Sequence, residues 1–221
     1  MPLSSAVEPV ACRTDELVAD RLVHLIGLGT GIIAALALTS IAAETAHRQT
    51  FCATLIYSLS LVTLLLCSTV YNFSPGSRHQ RLLRRFDHAA IFLLIAGTYT
   101  PFTVCRLHGM WSIGMTATMW TAAAVGAASV LCAGARSTAA ATVAYLGLGW
   151  LGLVALRPLL ASVDPATALL VGTGGVIYSI GAGVHLRRSL RFCDAIWHMM
   201  VMIAAACQYA AILHGVVLAG S

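Results

Sequence analysis

The chain has 221 residues, of which 59% are hydrophobic and 10% are charged, and its formal net charge is +5. With a mean hydropathy of +0.86, this composition excludes a soluble globular domain and indicates an integral membrane protein. The basic residues are all arginines and are not interleaved with aromatic residues on a soluble segment. We therefore expect the positive charge to interact with the lipid bilayer, and we expect no nucleic acid as a partner.

Seven apolar runs are long enough to cross a membrane, since about 20 helical residues span a hydrocarbon core of about 30 Å. The runs are continuous rather than alternating, which favours helices over a barrel. The sequence thus predicts an all-α protein with seven transmembrane helices, in which residues 1–19 form an N-terminal segment and residues 20–221 form the seven-helix domain. The predicted helices are 20–44, 51–73, 87–106, 111–133, 139–157, 166–186 and 194–218.

The arginines predict the orientation of this domain. With seven helices, only Arg48, Arg106 and Arg157 fall on one side of the membrane. The other side receives Arg13, Arg21, Arg78, Arg81, Arg84, Arg85, Arg136, Arg187, Arg188 and Arg191. Because arginine-rich loops stay in the cytoplasm, we expect a multi-pass membrane protein with a cytoplasmic N-terminus.

Ionisable and polar side chains collect near the cytoplasmic ends of the predicted helices. Charges inside spanning segments cost about 2.5 to 3.5 kcal/mol each on insertion scales, so a cluster of them is the default functional site. Within single helices these residues are four apart and share a face. His88 points about 100° away from Asp87, and Asp87 is favoured. The cluster consists of Glu16, Asp20, His24, Ser68, Asn72, Asp87, His88, His185, Asp194 and His198.

Four segments carry a family resemblance. They are CSTVYN (67–72), DHAAIFLLIAGTYTPF (87–102), GGVIYSIG (174–181) and DAIWH (194–198). In this order they resemble the haemolysin III family, the bacterial branch of the progestin and adipoQ receptor superfamily. The resemblance implies a seven-helix fold with a zinc ion near the cytoplasmic side.

The resemblance also implies roles for individual residues. The family's three histidine ligands of zinc match Asn72, Asp194 and His198, so that one histidine of the three is present. The serine and aspartate that support the zinc site match Ser68 and Asp87. On the first helix the family pattern Glu-x-x-x-Asn-x-x-x-His-x-x-Gly is matched by Glu16, Asp20, His24 and Gly27, with aspartate in place of asparagine.

These exchanges leave the occupant of the site open. A site of His198, Asp194 and water or Asp87 suits zinc, which accepts carboxylate oxygen, whereas Asn72 is a poor zinc ligand. More oxygen donors shift the preference towards magnesium, manganese or calcium. Without a metal, neighbouring carboxylates would repel each other unless one is protonated or paired with a histidine.

Three functions follow from these expectations. One is a metal-dependent hydrolase of a membrane lipid amide or ester, in which Asp87 acts as general base, Ser68 orients the reacting groups, and Glu16, Asp20 and His24 support the site. Another is a membrane-homeostasis, channel-like or haemolytic protein whose metal-free polar cluster passes protons or ions. The third is a structural or receptor-like module with a degenerate site.

Overall fold

A computed structural model describes residues 14–45, 47–133, 138–187 and 190–220. Seven helices or helical segments in these ranges are long and apolar enough to cross a membrane, which confirms the seven-span all-α prediction. Arg13, Arg136 and Arg188 lie outside the described residues, as does most of the predicted segment 1–19.

The spans follow the predicted apolar runs closely. The first four are α1 (Thr14–Glu44), α2 (Arg48–Asn72), α3 (Gln80–Cys105) and α4 (Gly109–Ala133). The fifth is composed of α5 (Thr138–Trp150), a 3₁₀ segment (Leu151–Ala155) and α6 (Leu156–Ser162). The sixth is α7 (Pro165–His185), and the seventh is α8 (Cys193–Ile212), which continues as a π-helical turn (Leu213–Val217) and a short 3₁₀ turn (Leu218–Gly220).

Two helices extend several residues beyond the start of their apolar runs. α1 is already helical at Thr14 rather than from 20, and α3 starts at Gln80 rather than at 87. The added residues include two acids on α1 and three arginines on α3, and arginine has a high helix propensity. Hydrophobicity therefore marks where each helix enters the hydrocarbon layer, whereas the backbone hydrogen-bonding pattern continues into the head-group region.

α3 is the central helix of the bundle, because it contributes to both apolar clusters of buried residues. One cluster joins α1, α2, α3 and α8 around Leu38, Tyr57 and Leu94. The other joins α3, α4 and the fifth span around Phe92 and Met119. α7 packs mainly on α8, and α8 packs on α1, which brings the first and last spans together.

The fifth span is broken where it approaches α3. At Gly152, in the 3₁₀ segment, an added Cβ would lie 2.5 Å from Cε1 of Tyr99. The Tyr99 hydroxyl donates a hydrogen bond to the carbonyl oxygen of Gly149. A side chain at position 152 would displace this ring, so glycine permits the close approach.

The sixth span begins with a well-formed cap. Asp164 Oδ1 accepts hydrogen bonds from the backbone N–H groups of Ala166 (2.9 Å) and Thr167 (3.1 Å), and Pro165 occupies the first helical position. The Thr167 hydroxyl donates to Asp164 Oδ2 at 2.5 Å. Hydrogen bonding from Thr167 lowers the pKa of Asp164 from 3.8 to about 2.

Candidate metal centre

Three ionisable side chains meet between the first and the last span. Asp20 and His24 are four residues apart in α1 and therefore share one face of that helix. His198 lies in the second turn of α8, which packs against α1. Both helices start at the end of the bundle that carries most of the arginines, which we call the basic end.

Asp20 connects the two histidines. Its Oδ1 lies 2.6 Å from Nδ1 of His198, a hydrogen-bonding distance, and its Oδ2 lies 3.6 Å from Nε2 of His24. The two imidazole rings are 4.3 Å apart between centroids and are inclined at 58°. One ligand atom from each of the three residues lies within 4.8 Å of the other two.

This triad is largely removed from solvent. Asp20 is 8% exposed and His24 is 6% exposed, while His198 is half-buried. Nε2 of His24 is fully enclosed and, among the residues that the structure describes, has no hydrogen-bond partner. Buried polar atoms nearly always have a hydrogen-bond partner. Atoms of the described residues do not supply one for this nitrogen, so we expect a partner from outside the protein.

The donor set of the triad fits a divalent metal. Two imidazole nitrogens and one carboxylate oxygen form a three-ligand set of the type that catalytic zinc uses, with a fourth position open for water or substrate. The enclosed Nε2 of His24 is a free donor for such an ion. Two ligands of one tetrahedral zinc ion lie about 3.3 Å apart when the bonds are about 2.0 Å long. The 2.6 Å contact of Asp20 with His198 must therefore open, or be replaced by another ligand atom, when an ion enters.

Two residues predicted as ligands have other neighbours in the structure. Asp194 is the second residue of α8, and its side chain is 68% exposed and lies 3.6 Å from Nδ1 of His185. The side-chain amide of Asn72 donates a hydrogen bond of 3.0 Å to the carbonyl oxygen of Ser68 within α2. His198 is the predicted ligand that the structure brings into the triad.

The two residues predicted as catalytic lie next to each other. Asp87 and Ser68 are both buried, and the Ser68 hydroxyl lies close enough to the Asp87 carboxylate to donate a hydrogen bond to it. Asp87 is close enough to Asp20 and His198 to interact with both electrostatically. Ser68, Asp87 and His198 also line the same cavity. The pair therefore faces the space next to the triad.

Glu16, predicted as a supporting residue, contacts an arginine at the basic end. Its Oε1 lies 3.9 Å from Nε of Arg191, and Nη2 of the same arginine lies 2.5 Å from Asp15. Arg191 precedes α8 by two residues, so this ion-pair network aligns the start of α8 with the start of α1. Glu16 contributes to the position of the triad from outside it.

The cavity beside the triad has a volume of about 290 Å³ and lies inside the bundle. Its walls are mainly apolar side chains of every span except the fourth. His24, Ser68, Asp87 and His198 supply polar groups on the triad side. Ligand pockets generally combine apolar walls with a few convergent polar groups in this way.

The chain matches the family model described as haemolysin-III related over residues 16–209. It belongs to the haemolysin III-related family. It is 33% identical to "Hemolysin-3" of Bacillus cereus over 198 residues, which cover 90% of each chain. It is 31% identical to "Hemolysin-3 homolog" of Bacillus subtilis (strain 168) over 90% of this chain and 93% of that protein. The human "Monocyte to macrophage differentiation factor" is 28% identical over 71% of this chain and 67% of its own length. No solved structure matches the chain.

Within the haemolysin III pattern, the exchange on α1 explains how the triad forms. Asp20 stands where the family pattern has asparagine, so α1 supplies a carboxylate beside His24. Asn72 and Asp194 stand where the pattern has histidines. By the residue pattern that the resemblance implies, α2 and α8 thus carry an amide and a carboxylate in place of two imidazoles, and α1 carries a carboxylate in place of an amide. A charged aspartate at the position of a neutral asparagine is the feature of the sequence that could have indicated a ligand role for Asp20.

Proposed function

We propose that this haemolysin III-related protein is a metal-dependent hydrolase of a membrane lipid amide or ester, with Asp20, His24 and His198 as the metal ligands. The observation that carries the proposal is the placement of this triad and of Asp87 beside one apolar cavity inside the bundle. Zinc is the first candidate, because the donor set is of a type found at catalytic zinc sites.

The chain's own residues have clear tasks in this reaction. A divalent ion supplies Lewis-acid polarisation of a carbonyl group and activation of water. Asp87 accepts a proton from the attacking water and returns it to the leaving amine or alkoxide, so the proton balance closes within the site. The hydrogen bond from Ser68 orients the Asp87 carboxylate. The apolar walls hold the lipid and keep bulk water away from the carbonyl.

Turnover of labelled lipid amides and esters by the purified protein tests this proposal. We expect Asp87→Asn to lower the rate by about 10²- to 10⁴-fold, since that is the usual contribution of a general base. Asp194→Asn is the matched control, because the Asp194 side chain is mostly exposed. An Asp87→Asn protein that is folded and as active as wild type would exclude this mechanism.

A second candidate function is proton or ion handling without a metal. The observation that favours it is the direct 2.6 Å hydrogen bond between Asp20 and His198, which needs no ion to be stable. This function predicts a proton flux in liposomes that Asp20→Asn abolishes, together with a metal-free protein that hydrolyses no lipid.

We further infer that the basic end faces the cytoplasm of a bacterial inner membrane. Among the described residues, Arg21, Arg81 and Arg191 lie at this end together with the triad, and an arginine excess marks the cytoplasmic side. The proposed active site then opens towards the inner leaflet. A reporter fused to the C-terminus should behave as extracytoplasmic, and cytoplasmic behaviour would reverse the inference.

A further inference from the structure

At the end of the bundle opposite the metal centre, two arginines line a surface depression of about 340 Å³. Arg48 is the first residue of α2, and Arg106 directly follows α3. The wall is completed by His47, Gln49, Thr50, Cys105 and Val216. We call this site the arginine depression.

The guanidinium of Arg106 is fixed in place. Its Nε donates a hydrogen bond of 2.6 Å to the carbonyl oxygen of Gly215 in the π-helical turn after α8. Its Nη2 is fully enclosed and has no hydrogen-bond partner within the described ranges. The positive charge is thus held at a defined position between α3 and the end of α8.

No carboxylate of the described residues forms an ion pair with this arginine. Within the described parts of the chain, the ion pairs of arginine involve Arg191 at the basic end, and none joins Arg48 or Arg106 to an acid. Arg48 is exposed. Gln49 anchors the rim, because its Nε2 donates a 2.8 Å hydrogen bond to the carbonyl oxygen of Val104.

A third feature adds donors to the same wall. His47, the residue before α2, makes no side-chain hydrogen bond to the start of the helix. The first N–H groups of a helix have no acceptor within the helix, and His47 does not cap those of α2. An oxyanion placed here would meet two arginine charges and these backbone donors, the combination that favours phosphate.

We propose that the arginine depression binds a phosphate group, a role independent of the proposed hydrolase site. The depression lies where spans end, so the phosphate can come from the head group of an anionic phospholipid or from free phosphate. Both sources satisfy the same donors. A lipid would in addition place its acyl chains along the outer faces of α2 and α3.

The test compares ligands on the purified, delipidated full chain. Native mass spectrometry measures binding of phosphatidylglycerol and of a neutral glycolipid with the same acyl chains. Thermal unfolding in maltoside detergent measures stabilisation by inorganic phosphate. We expect phosphatidylglycerol to bind more tightly than the glycolipid if the source is a lipid, and phosphate alone to stabilise the protein if the source is free phosphate.

Variants then locate the site. Arg48→Gln should weaken the bound phosphate ligand about tenfold, because a charge-assisted hydrogen bond is lost. Arg157→Gln is the matched control, since Arg157 is exposed in the fifth span near the same end and does not line the depression. Arg106→Lys keeps the charge but loses the Nε contact to Gly215, and should weaken binding while the protein stays folded.

Two results would overturn the proposal. One is the absence of any preference for phosphatidylglycerol over the glycolipid together with no stabilisation by phosphate. The other is binding that Arg48→Gln leaves unchanged, or that Arg157→Gln weakens to the same degree. Hydrolase activity and metal content are not expected to change in Arg48→Gln, so a failure of this proposal is distinguishable from a failure of the hydrolase proposal.

Discussion

Asp20→Asn is the substitution that most directly tests the candidate metal centre. It keeps the shape of the side chain but removes the single carboxylate of the triad, which contacts His198 at 2.6 Å and lies 3.6 Å from His24. Mutation of a residue that only supports a metal ligand already lowers metal affinity by about 10- to 100-fold. Mutation of a ligand itself should have at least the larger of these effects. We therefore expect Asp20→Asn to lower metal affinity by about 100-fold or more, which corresponds to about 2.7 kcal/mol of binding free energy.

The assay is metal content and zinc affinity of detergent-purified protein, with Asp194→Asn measured beside Asp20→Asn. Both substitutions remove one negative charge near α8, but the Asp194 side chain is 68% exposed and lies beside His185 rather than in the triad. We expect Asp194→Asn to retain its metal. Loss of metal in Asp194→Asn together with full occupancy in Asp20→Asn would refute the assignment of the triad.

Three further predictions concern packing, a partly buried hydrogen bond and a helix cap. Gly126→Ala should destabilise the bundle by about 1–3 kcal/mol, because its Cβ would lie 2.6 Å from Cδ1 of Phe92. Gly114→Ala in the same helix meets no atom within 4 Å, and should be neutral or stabilise by up to about 1 kcal/mol; equal thermal unfolding of the two variants would contradict this. Trp120→Phe removes a 3.1 Å hydrogen bond to α3 and should cost about 0.6 kcal/mol in chemical denaturation, whereas wild-type stability would show that the bond contributes nothing. The lowered pKa of Asp164 means that its carboxylate stabilises the fold above about pH 4 and that this contribution is lost as the pH falls towards about 2. Asp164→Asn should make the free energy of unfolding less dependent on pH in this range. The same pH dependence in the variant and in wild type would show that Asp164 does not contribute.

The seven spans were predictable because membrane insertion depends mainly on hydrophobicity. Every predicted apolar run overlaps a span of the structure. The break in the fifth span was not predictable in the same way, since residues 139–156 form one run without a charged residue. That break depends on the contact of Gly152 with Tyr99, which is a tertiary contact between distant residues.

The neighbours of Asp20 depend on how two helices are aligned, which the sequence alone does not show. The pairing of Arg191 with Asp15 places the start of α8 beside Asp15. Asp20 lies five residues after Asp15, about 7.5 Å along α1, and His198 lies five residues after Cys193, about 7.5 Å along α8, since a helix rises about 1.5 Å per residue. Asp20 therefore meets His198, whereas Asp194, which the family resemblance predicted as a ligand, has a mostly exposed side chain.

Charge balance explains why one set of residues supports both proposed functions. Asp20 and Asp87 are two carboxylates, each 8% exposed; Asp87 lines the apolar cavity, and Asp20 contacts His198, which lines it as well. A divalent ion held by neutral His24 and His198 would cancel both negative charges. Without an ion, a proton held between Asp20 and His198 would offset the charge of Asp20, and the hydrogen bond of this pair is the contact expected for that state. Under both proposals the charge of Asp20 is offset at the same place, and Asp20→Asn is therefore expected to remove either activity.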